Sequence, residues 1–153
     1  QMDLGELAGR VNIQLELISC GDEKILGDEE LLQQAVSNLI MNAINHSQSS
    51  RIEFGAETEE GRVRIFVRDF GIGIPEEHQV RIFERFYRID KARSQSSAKG
   101  TGLGLAIVKH IAQLHDASII CENSVPHGCT FSITFPRVTM APGNTNRHSV
   151  KTV

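Results

Sequence analysis

The sequence predicts one α/β domain in which amphipathic helices alternate with strands that bury one face. Residues 62 to 69 alternate β-branched apolar side chains with arginines, which is the period-two pattern of a half-buried strand. Residues 29 to 44 carry apolar side chains at a 3.6-residue repeat, which indicates a long helix with one buried face. The chain has 153 residues, of which 40% are hydrophobic, so it is large enough to build one core.

The other elements are predicted from the same two periodicities and from turn and cap residues. Asp28 is a good N-cap for the long helix, and Glu29 and Glu30 follow at the positive end of the helix dipole. The remaining predicted elements are a short helix over 4–9, a strand over 11–18, a hairpin of strands over 51–58 and 62–68, helices over 76–87 and 103–114, and strands over 118–122 and 130–135.

Composition and charge argue against several function classes. The net charge is −3 and the basic residues form no long run, so we expect no nucleic-acid partner. No apolar run reaches the roughly 18 residues of a membrane span, so we expect no direct membrane contact by this segment. Cys20, Cys121 and Cys129 lack C-x-x-C spacing, which disfavours zinc and favours a reducing cytoplasm. The start at Gln1 indicates a segment of a longer protein.

A row of amides follows one line of the long helix. Gln34, Asn38 and Asn42 recur every four residues, and Asn45 and His46 extend the row. Asparagine is a middling helix former, so the row does not serve helix stability. It is either a solvated face or a set of hard oxygen ligands for Mg²⁺ and its phosphates, and we favour the second hypothesis.

Two glycine-rich stretches are the other candidate binding motifs. Asp69 ends a predicted strand, and Gly71 and Gly73 after it allow positive φ and the close approach of a flat nucleotide base. Residues 100 to 105 contain three glycines where a helix begins, and free backbone N–H groups at a helix start bind phosphate. The polar stretch over 89–99 before them is predicted to be a mobile loop.

These motifs, in this order, resemble the catalytic ATP-binding domain of sensor histidine kinases, in the wider family of gyrase and Hsp90. The run from Arg85 to Ser94 is most similar to phosphate-regulon and cell-wall sensor kinases. The matching motifs are the N box over 34–46, the first glycine box over 69–75, the F box over 82–88 and the second glycine box over 100–105.

The resemblance implies the Bergerat ATP-binding fold, a two-layer α/β (α+β) sandwich. A mixed five-stranded sheet would carry three main helices on one face, with ATP between them under a movable lid. The domain would occupy residues 1–136, followed by a disordered tail or linker over 137–153.

The resemblance also implies roles for individual residues. Asp69 would accept the adenine amino group beside Gly73, Asn38 would bind Mg²⁺ with Asn42 beside it, and Phe83 and Phe86 would anchor the lid. Asn38 and Arg88 would be the catalytic residues, Arg88 reaching the γ-phosphate. The residues expected to contact ATP or Mg²⁺ are Asn38, Asn42, Asn45, His46, Asp69, Gly71, Gly73, Ile74, Phe83, Phe86, Arg88, Lys91, Lys99, Gly100, Thr101, Gly102, Leu103, Gly104 and Leu105.

The sequence departs from the family pattern at two positions. Asn45 stands where many members carry Lys or Arg, so one cationic phosphate contact is either missing or supplied by Arg88, Lys91 or Lys99. Gln34 stands where the ATP hydrolases have a Glu, and Gln cannot act as a general base, which favours kinase over hydrolase chemistry.

The sequence lacks a phosphoacceptor box, in which a His is followed by Glu or Asp and a nearby Pro. The expected partners are therefore a separate dimerisation and phosphoacceptor domain of the same kinase and a downstream response regulator. A regulatory module without catalysis and an ATP-driven clamp of the gyrase or Hsp90 type are the alternatives.

Overall fold

A computed structural model of the chain describes residues 3–19, 21–22, 24–89, 102–137 and 150–151. Its main sheet has the strand order β1-β3-β4-β6-β5, with β1 parallel to β3 and every other pair antiparallel. The elements are α1 (Leu4–Arg10), β1 (Gln14–Ser19), β2 (Ile25–Leu26), α2 (Glu29–His46), β3 (Arg51–Glu59), β4 (Arg62–Asp69), α3 (Glu76–Gln79), a 3₁₀ turn (Arg81–Phe83), α4 (Gly104–Leu114), β5 (Ser118–Asn123), β6 (Cys129–Thr134) and β7 (Val150–Lys151). The predicted α/β sandwich with a mixed five-stranded sheet is confirmed.

The long helix α2 forms as its caps and periodicity predict. The Asp28 side chain accepts a hydrogen bond from the Leu31 N–H at 3.1 Å, so one of the free donors at the helix start is satisfied. Its apolar stripe is buried along about three turns. The buried residues of this stripe are Leu32, Ala35, Leu39, Ile40 and Ala43.

One apolar core lies between the helices and one face of the sheet. Helix α2 packs against β3, β4 and α4, while α4 packs against β5. The largest fully buried side chains in this core are Leu39, Ile52, Val67, Val108, Phe131 and Ile133. The opposite face of the sheet carries charged side chains, with Arg64 and Arg68 both lying over the Phe66 ring at 5.5 and 5.6 Å. Helices α2 and α4 therefore both pack on the apolar face of the sheet.

The first strand is three residues shorter than predicted at its start. Helix α1 continues to Arg10, and Asn12 then takes a φ of 57°, which no strand residue adopts. Strand β1 therefore begins at Gln14 instead of Val11.

The predicted helix over 76–87 is wrong. The structure has the four-residue helix α3 and then a 3₁₀ turn that buries Ile82 and Phe83. Val80 is 79% exposed, although the apolar pattern predicts it to be buried. Phe86 has a φ of 64°, and its N–H donates to the Gly102 carbonyl at 2.9 Å instead of to a carbonyl one helical turn earlier. This long-range bond replaces the helical bond that the pattern predicts.

Two predicted segments fall mainly outside the described residues. Of the loop predicted over 89–99, the structure describes only Ile89. Of the tail predicted over 137–153, it describes Arg137 and the two residues of β7, which pair with β2 in an antiparallel bridge. Among the described residues, no helix has the length and apolar character needed to cross a bilayer.

Candidate functional site

The carboxyl end of β4 places a buried carboxylate beside the first glycine box. Asp69 is 4% exposed, and its side chain accepts hydrogen bonds from the N–H groups of Gly71, at 3.0 Å, and Cys129. Burial raises the pKa of Asp69, and these two backbone donors oppose that shift only in part. A desolvated carboxylate with a perturbed pKa at a strand end is typical of a functional site.

The loop after Asp69 is held by hydrogen bonds from two other parts of the chain. The Phe70 N–H donates to Ser49 Oγ at 3.1 Å, and the Ile72 N–H donates to the Ser47 carbonyl at 3.0 Å. From the other side, the Ile74 N–H donates to Asn123 Oδ1 at 2.9 Å. The end of α2 and the end of β5 therefore fix this loop between them.

Glycine is required in this loop because neighbouring backbone comes very close. A Cβ on Gly71 would lie 1.7 Å from the Ser47 carbonyl oxygen, which is far inside van der Waals contact. Gly73 has a φ of +72°, a conformation that side chains rarely adopt. Gly73 thus has the positive φ that the sequence predicts, whereas the close approach at Gly71 is to the backbone of Ser47.

One member of the amide row of α2 contacts the start of α4. Asn38 Nδ2 donates to the Gly104 carbonyl at 3.4 Å, so the N box and the second glycine box meet. Asn38 and Asn42 are partly buried, whereas Asn45 is exposed. The structure thus brings Asn38 to the second glycine box, and it leaves Asn45 exposed to solvent.

His46, at the end of the amide row, is electrostatically linked to the F box. Burial lowers the pKa of His46, and the positive charge of Arg88 lowers it further. The charge of Arg88 therefore acts on His46 at the end of α2. That Arg88 supplies the cation missing at Asn45 stays a prediction.

The second glycine box is described from Gly102 onward. Gly102 has a φ of +72°, and a Cβ there would lie 2.8 Å from Phe86 Cα, so the backbone of the F box packs directly on it. Leu103 and Leu105 are partly buried, and α4 begins at Gly104. Within the part of the chain that the structure describes, no side chain caps the start of α4. The other predicted residues of this end, Lys91, Lys99, Gly100 and Thr101, lie outside the described residues.

The two phenylalanines of the F box differ in environment. Phe83 is buried, and its ring meets the Phe131 ring edge-on with centroids 6.0 Å apart. Phe86 is 69% exposed and is attached to the second glycine box through its backbone. Phe83 therefore fastens the F box to the core, while the Phe86 side chain faces solvent.

Several residues that shape the site were not predicted from the sequence. Ser47 and Ser49 hold the glycine loop, Asn123 holds it from the other side, and Cys129 donates to Asp69. A Ser-Gln-Ser run directly after a helix is a pattern for local side-chain to backbone bonds, so it could have indicated the two serines. Nothing local to Asn123 or Cys129 indicates their partners.

The strand-end aspartate, the glycine loop and the amide row all lie within a stretch that matches a known protein family. Residues 27–139 match the family described as histidine kinase-, DNA gyrase B- and HSP90-like ATPase. The chain belongs to this family. The resemblance drawn from the four sequence motifs is thereby confirmed.

Named relatives place the chain among the histidine kinase members of this ATPase family. It is 46% identical over 114 residues to the sensor-like histidine kinase SenX3 of Mycolicibacterium smegmatis, covering 74% of this chain and 29% of SenX3. It is 38% identical over 133 residues to the phosphate regulon sensor protein PhoR of Haemophilus influenzae, covering 86% of this chain and 31% of PhoR. The chain thus spans less than a third of the length of these curated relatives.

A solved structure shows the same fold. The ATP binding domain of PrrB from Mycobacterium tuberculosis superposes with a TM-score of 0.70 at 28% identity, covering 89% of this chain and 90% of that one. This histidine kinase-type ATPase domain therefore has the catalytic-domain architecture of its relatives. Among its described residues, no group of three or more His, Cys, Asp or Glu side chains is arranged to hold a metal ion.

Proposed function

We propose that this chain binds ATP with Mg²⁺ and transfers the γ-phosphate to a histidine on a separate dimerisation and phosphoacceptor domain of the same kinase. The burial of the Asp69 carboxylate is the observation that supports this proposal best. Among the described residues it has no ion-pair partner, and burial raises its pKa, so the carboxylate is kept at a cost in stability. The exocyclic amino group of adenine is a donor that suits such a carboxylate.

The amide row suits the phosphates and their metal ion. Asn38 uses its Nδ2 to reach the Gly104 carbonyl, so its side-chain oxygen remains an acceptor, and Asn42 lies one turn further along the helix. Side-chain amide oxygens are ligands that Mg²⁺ accepts. When bound, Mg²⁺ would neutralise phosphate charge, while the chain's own part is to position the nucleotide and to supply Arg88 near the γ-phosphate.

Two of the described histidines are engaged in hydrogen bonds, and a third lies in a turn between strands. His115 accepts the Asp28 N–H at 3.0 Å through Nε2 and donates to the Ile111 carbonyl at 2.7 Å through Nδ1. His78 Nδ1 is hydrogen-bonded to the Tyr87 hydroxyl. His127 lies in the turn between β5 and β6. These contacts favour an acceptor histidine supplied by another domain, because in-line transfer requires a docked imidazole.

The partners and location follow from the kinase assignment. We assign the chain to the cytoplasmic part of a membrane-bound sensor kinase. The phosphorylated histidine of that kinase would pass its phosphoryl group to a response regulator. Its relatives SenX3 and PhoR, both named as sensor proteins, support this context.

Labelled ATP tests the transfer. The chain alone, incubated with γ-labelled ATP and Mg²⁺, should give no acid-labile phosphohistidine and only slow steady-state hydrolysis, because Gln34 cannot act as a general base. Addition of the dimerisation domain of the longer kinase should restore label on that domain. Stoichiometric label on the chain alone would contradict the proposed division of roles, and rapid hydrolysis would favour the ATP-driven clamp.

A further inference from the structure

Two cysteine thiols lie side by side on adjacent strands, on the buried face of the sheet and close to the glycine loop after Asp69. Cys121 of β5 and Cys129 of β6 have their sulfur atoms 2.9 Å apart, and their residues are 7% and 1% exposed. Both are free thiols. They are diagonal neighbours, since Cys121 pairs with Phe131 and Cys129 pairs with Asn123 in the antiparallel register. The proposed nucleotide site makes no use of these two thiols.

Both cysteines are connected to the glycine loop through their neighbours. Cys129 lies opposite Asp69 in the β4–β6 ladder and donates its N–H to the Asp69 carboxylate. Asn123 lies between the two cysteines in sequence and accepts the Ile74 N–H. Gly128, directly before Cys129, packs so closely that a Cβ there would lie 2.1 Å from the Asp69 carbonyl oxygen. A change in the spacing of β5 and β6 therefore reaches the glycine loop through two separate contacts.

We propose that Cys121 and Cys129 form an oxidant-responsive thiol pair, which a hydroperoxide converts into a disulfide that alters the glycine loop and lowers nucleotide affinity. The formation of the disulfide and its effect on the loop are inferred from the contacts of the two sulfurs, Asn123 and Gly128 described above. The effect on nucleotide affinity rests in addition on the proposed binding of adenine at Asp69.

The oxidation consumes one hydrogen peroxide and produces two waters. The Cys121 sulfur attacks a peroxide oxygen, an S–O bond forms, the O–O bond breaks, and the leaving hydroxide takes the thiol proton as water. The Cys129 sulfur then attacks the Cys121 sulfur, an S–S bond forms, the S–O bond breaks, and the second hydroxide leaves with the Cys129 proton as water. Two thiols thus lose two electrons and two protons.

The order of attack follows from the surroundings of the two sulfurs. The hydrogen bond to Cys121 and burial together raise the pKa of the Cys129 thiol well above its usual range. Cys129 is also the less exposed of the two residues. Cys121 therefore reacts with the peroxide, and Cys129 resolves the sulfenic acid.

Formation of the Cys121–Cys129 disulfide requires a movement of strands β5 and β6. A disulfide has an S–S length of about 2.05 Å, so the two sulfurs close by about 0.9 Å. Diagonal cross-strand partners do not have the ideal spacing for a disulfide, so the strands shift as the bond forms. Because Asn123 lies within the closed loop, we expect the Asn123 to Ile74 hydrogen bond to lengthen or break.

The test uses the full chain with Cys20→Ser, so that the pair supplies the only thiols. Hydrogen peroxide should reduce the intact mass by two hydrogens and link the Cys121 and Cys129 peptides. Amide hydrogen exchange at Ile74 should then become at least tenfold faster, and the calorimetric affinity for ATP should fall at least threefold. Dithiothreitol should reverse all three changes.

The matched control is the Cys20→Ser, Cys121→Ala protein, which retains Cys129 but cannot form the bond. Its Ile74 exchange and ATP affinity should not respond to peroxide. The proposal is overturned if the parent protein forms no disulfide, if the disulfide leaves Ile74 exchange unchanged, or if the control responds equally. If the reduced protein binds no ATP, the proposed function fails. The mass and exchange measurements would still test whether the disulfide forms and whether it alters the glycine loop.

Discussion

The two ends of the candidate site are built differently. The base end, formed by the loop over 69–74, donates hydrogen bonds to the segment after α2 and to β5, and its Asp69 carboxylate accepts one from β6. The phosphate end, formed by the amide row and residues 102–105, is connected within the described residues by the long Asn38 to Gly104 contact and the Phe86 to Gly102 bond. The base end is therefore fixed before any ligand arrives. The phosphate end is held by fewer contacts, so the charge of the ligand determines more of its geometry.

The largest expected effect is a steric change at the base end. Gly71→Ala places a methyl group where the Ser47 carbonyl oxygen lies, so the loop must move away from α2. We expect a loss of about 3 kcal/mol in the free energy of unfolding, at the upper end of overpacking effects. Nucleotide binding should become undetectable. Urea denaturation and isothermal titration calorimetry measure the two quantities.

Two other glycines serve as controls for Gly71. A Cβ on Gly9 in α1 or on Gly104 at the start of α4 would meet nothing within 4 Å. Gly9→Ala and Gly104→Ala should leave the free energy of unfolding unchanged or raise it by up to about 1 kcal/mol through helix propensity. Equal destabilisation by Gly104→Ala would show that the phosphate end is as tightly fixed as the base end.

The next effect separates binding from stability at the base end. Asp69→Asn keeps an oxygen for the Gly71 and Cys129 N–H groups but removes the buried charge. ATP affinity should fall about tenfold, because a hydrogen bond to a charged acceptor contributes roughly 1.5 kcal/mol to the binding free energy. The wild-type preference for ATP over GTP should also disappear, since guanine presents a carbonyl where adenine presents an amino group.

The same variant has a pH signature of defined sign. The pKa of Asp69 is raised in the folded state, so that state takes up the proton before the unfolded chain does as pH falls from 7 towards 4. The wild type should therefore gain stability relative to Asp69→Asn over this window, and at pH 7 the variant should be at least as stable. A variant that is less stable at pH 7 would contradict the account of Asp69 as a carboxylate kept for binding.

At the phosphate end, Asn38→Ala should change metal dependence more than stability. The contact that it removes is long, at 3.4 Å, so the free energy of unfolding should fall by no more than about 1 kcal/mol. The increase in triphosphate affinity that Mg²⁺ gives the wild type should be lost. Gln33→Ala, on the exposed side of the same helix, is the control and should retain the Mg²⁺ response. An unchanged Mg²⁺ response in Asn38→Ala would point to other ligands.

The smallest expected effect concerns His46, at the boundary between the two ends. Its pKa is lowered in the folded state, so the unfolded chain takes up the proton first as pH falls through about 6.5. Its contribution to stability is complete above that pH and is lost below it. The loss should stay under about 1 kcal/mol, because the side chain is partly exposed to solvent. Thermal unfolding from pH 7.5 to 5.5 should be less pH-dependent in His46→Gln than in the wild type, and an equal pH dependence would contradict the assignment.

Sequence periodicity predicted the parts of the fold that are set by local pattern. The stripe of α2, the β3–β4 hairpin and the place of Asp69 at a strand end all follow from spacing alone. The long helix over 76–87 was wrong because Phe86 bonds to Gly102, a residue distant in sequence, and no local pattern reports such a bond. The contact between Asn123 and Ile74 and the meeting of the two thiols depend in the same way on how distant segments pair.

The β4–β6 ladder also determines when the site can form during folding. The β3–β4 and β5–β6 hairpins close through short connections, whereas β4 and β6 are joined across most of the second half of the chain. Pairings of high sequence separation carry the larger loop-closure cost. Because Asp69 lies opposite Cys129 at the end of this ladder, the base end is complete only when the two hairpins have docked. A nucleotide bound there should slow unfolding and leave the refolding rate unchanged, which stopped-flow denaturant jumps measure.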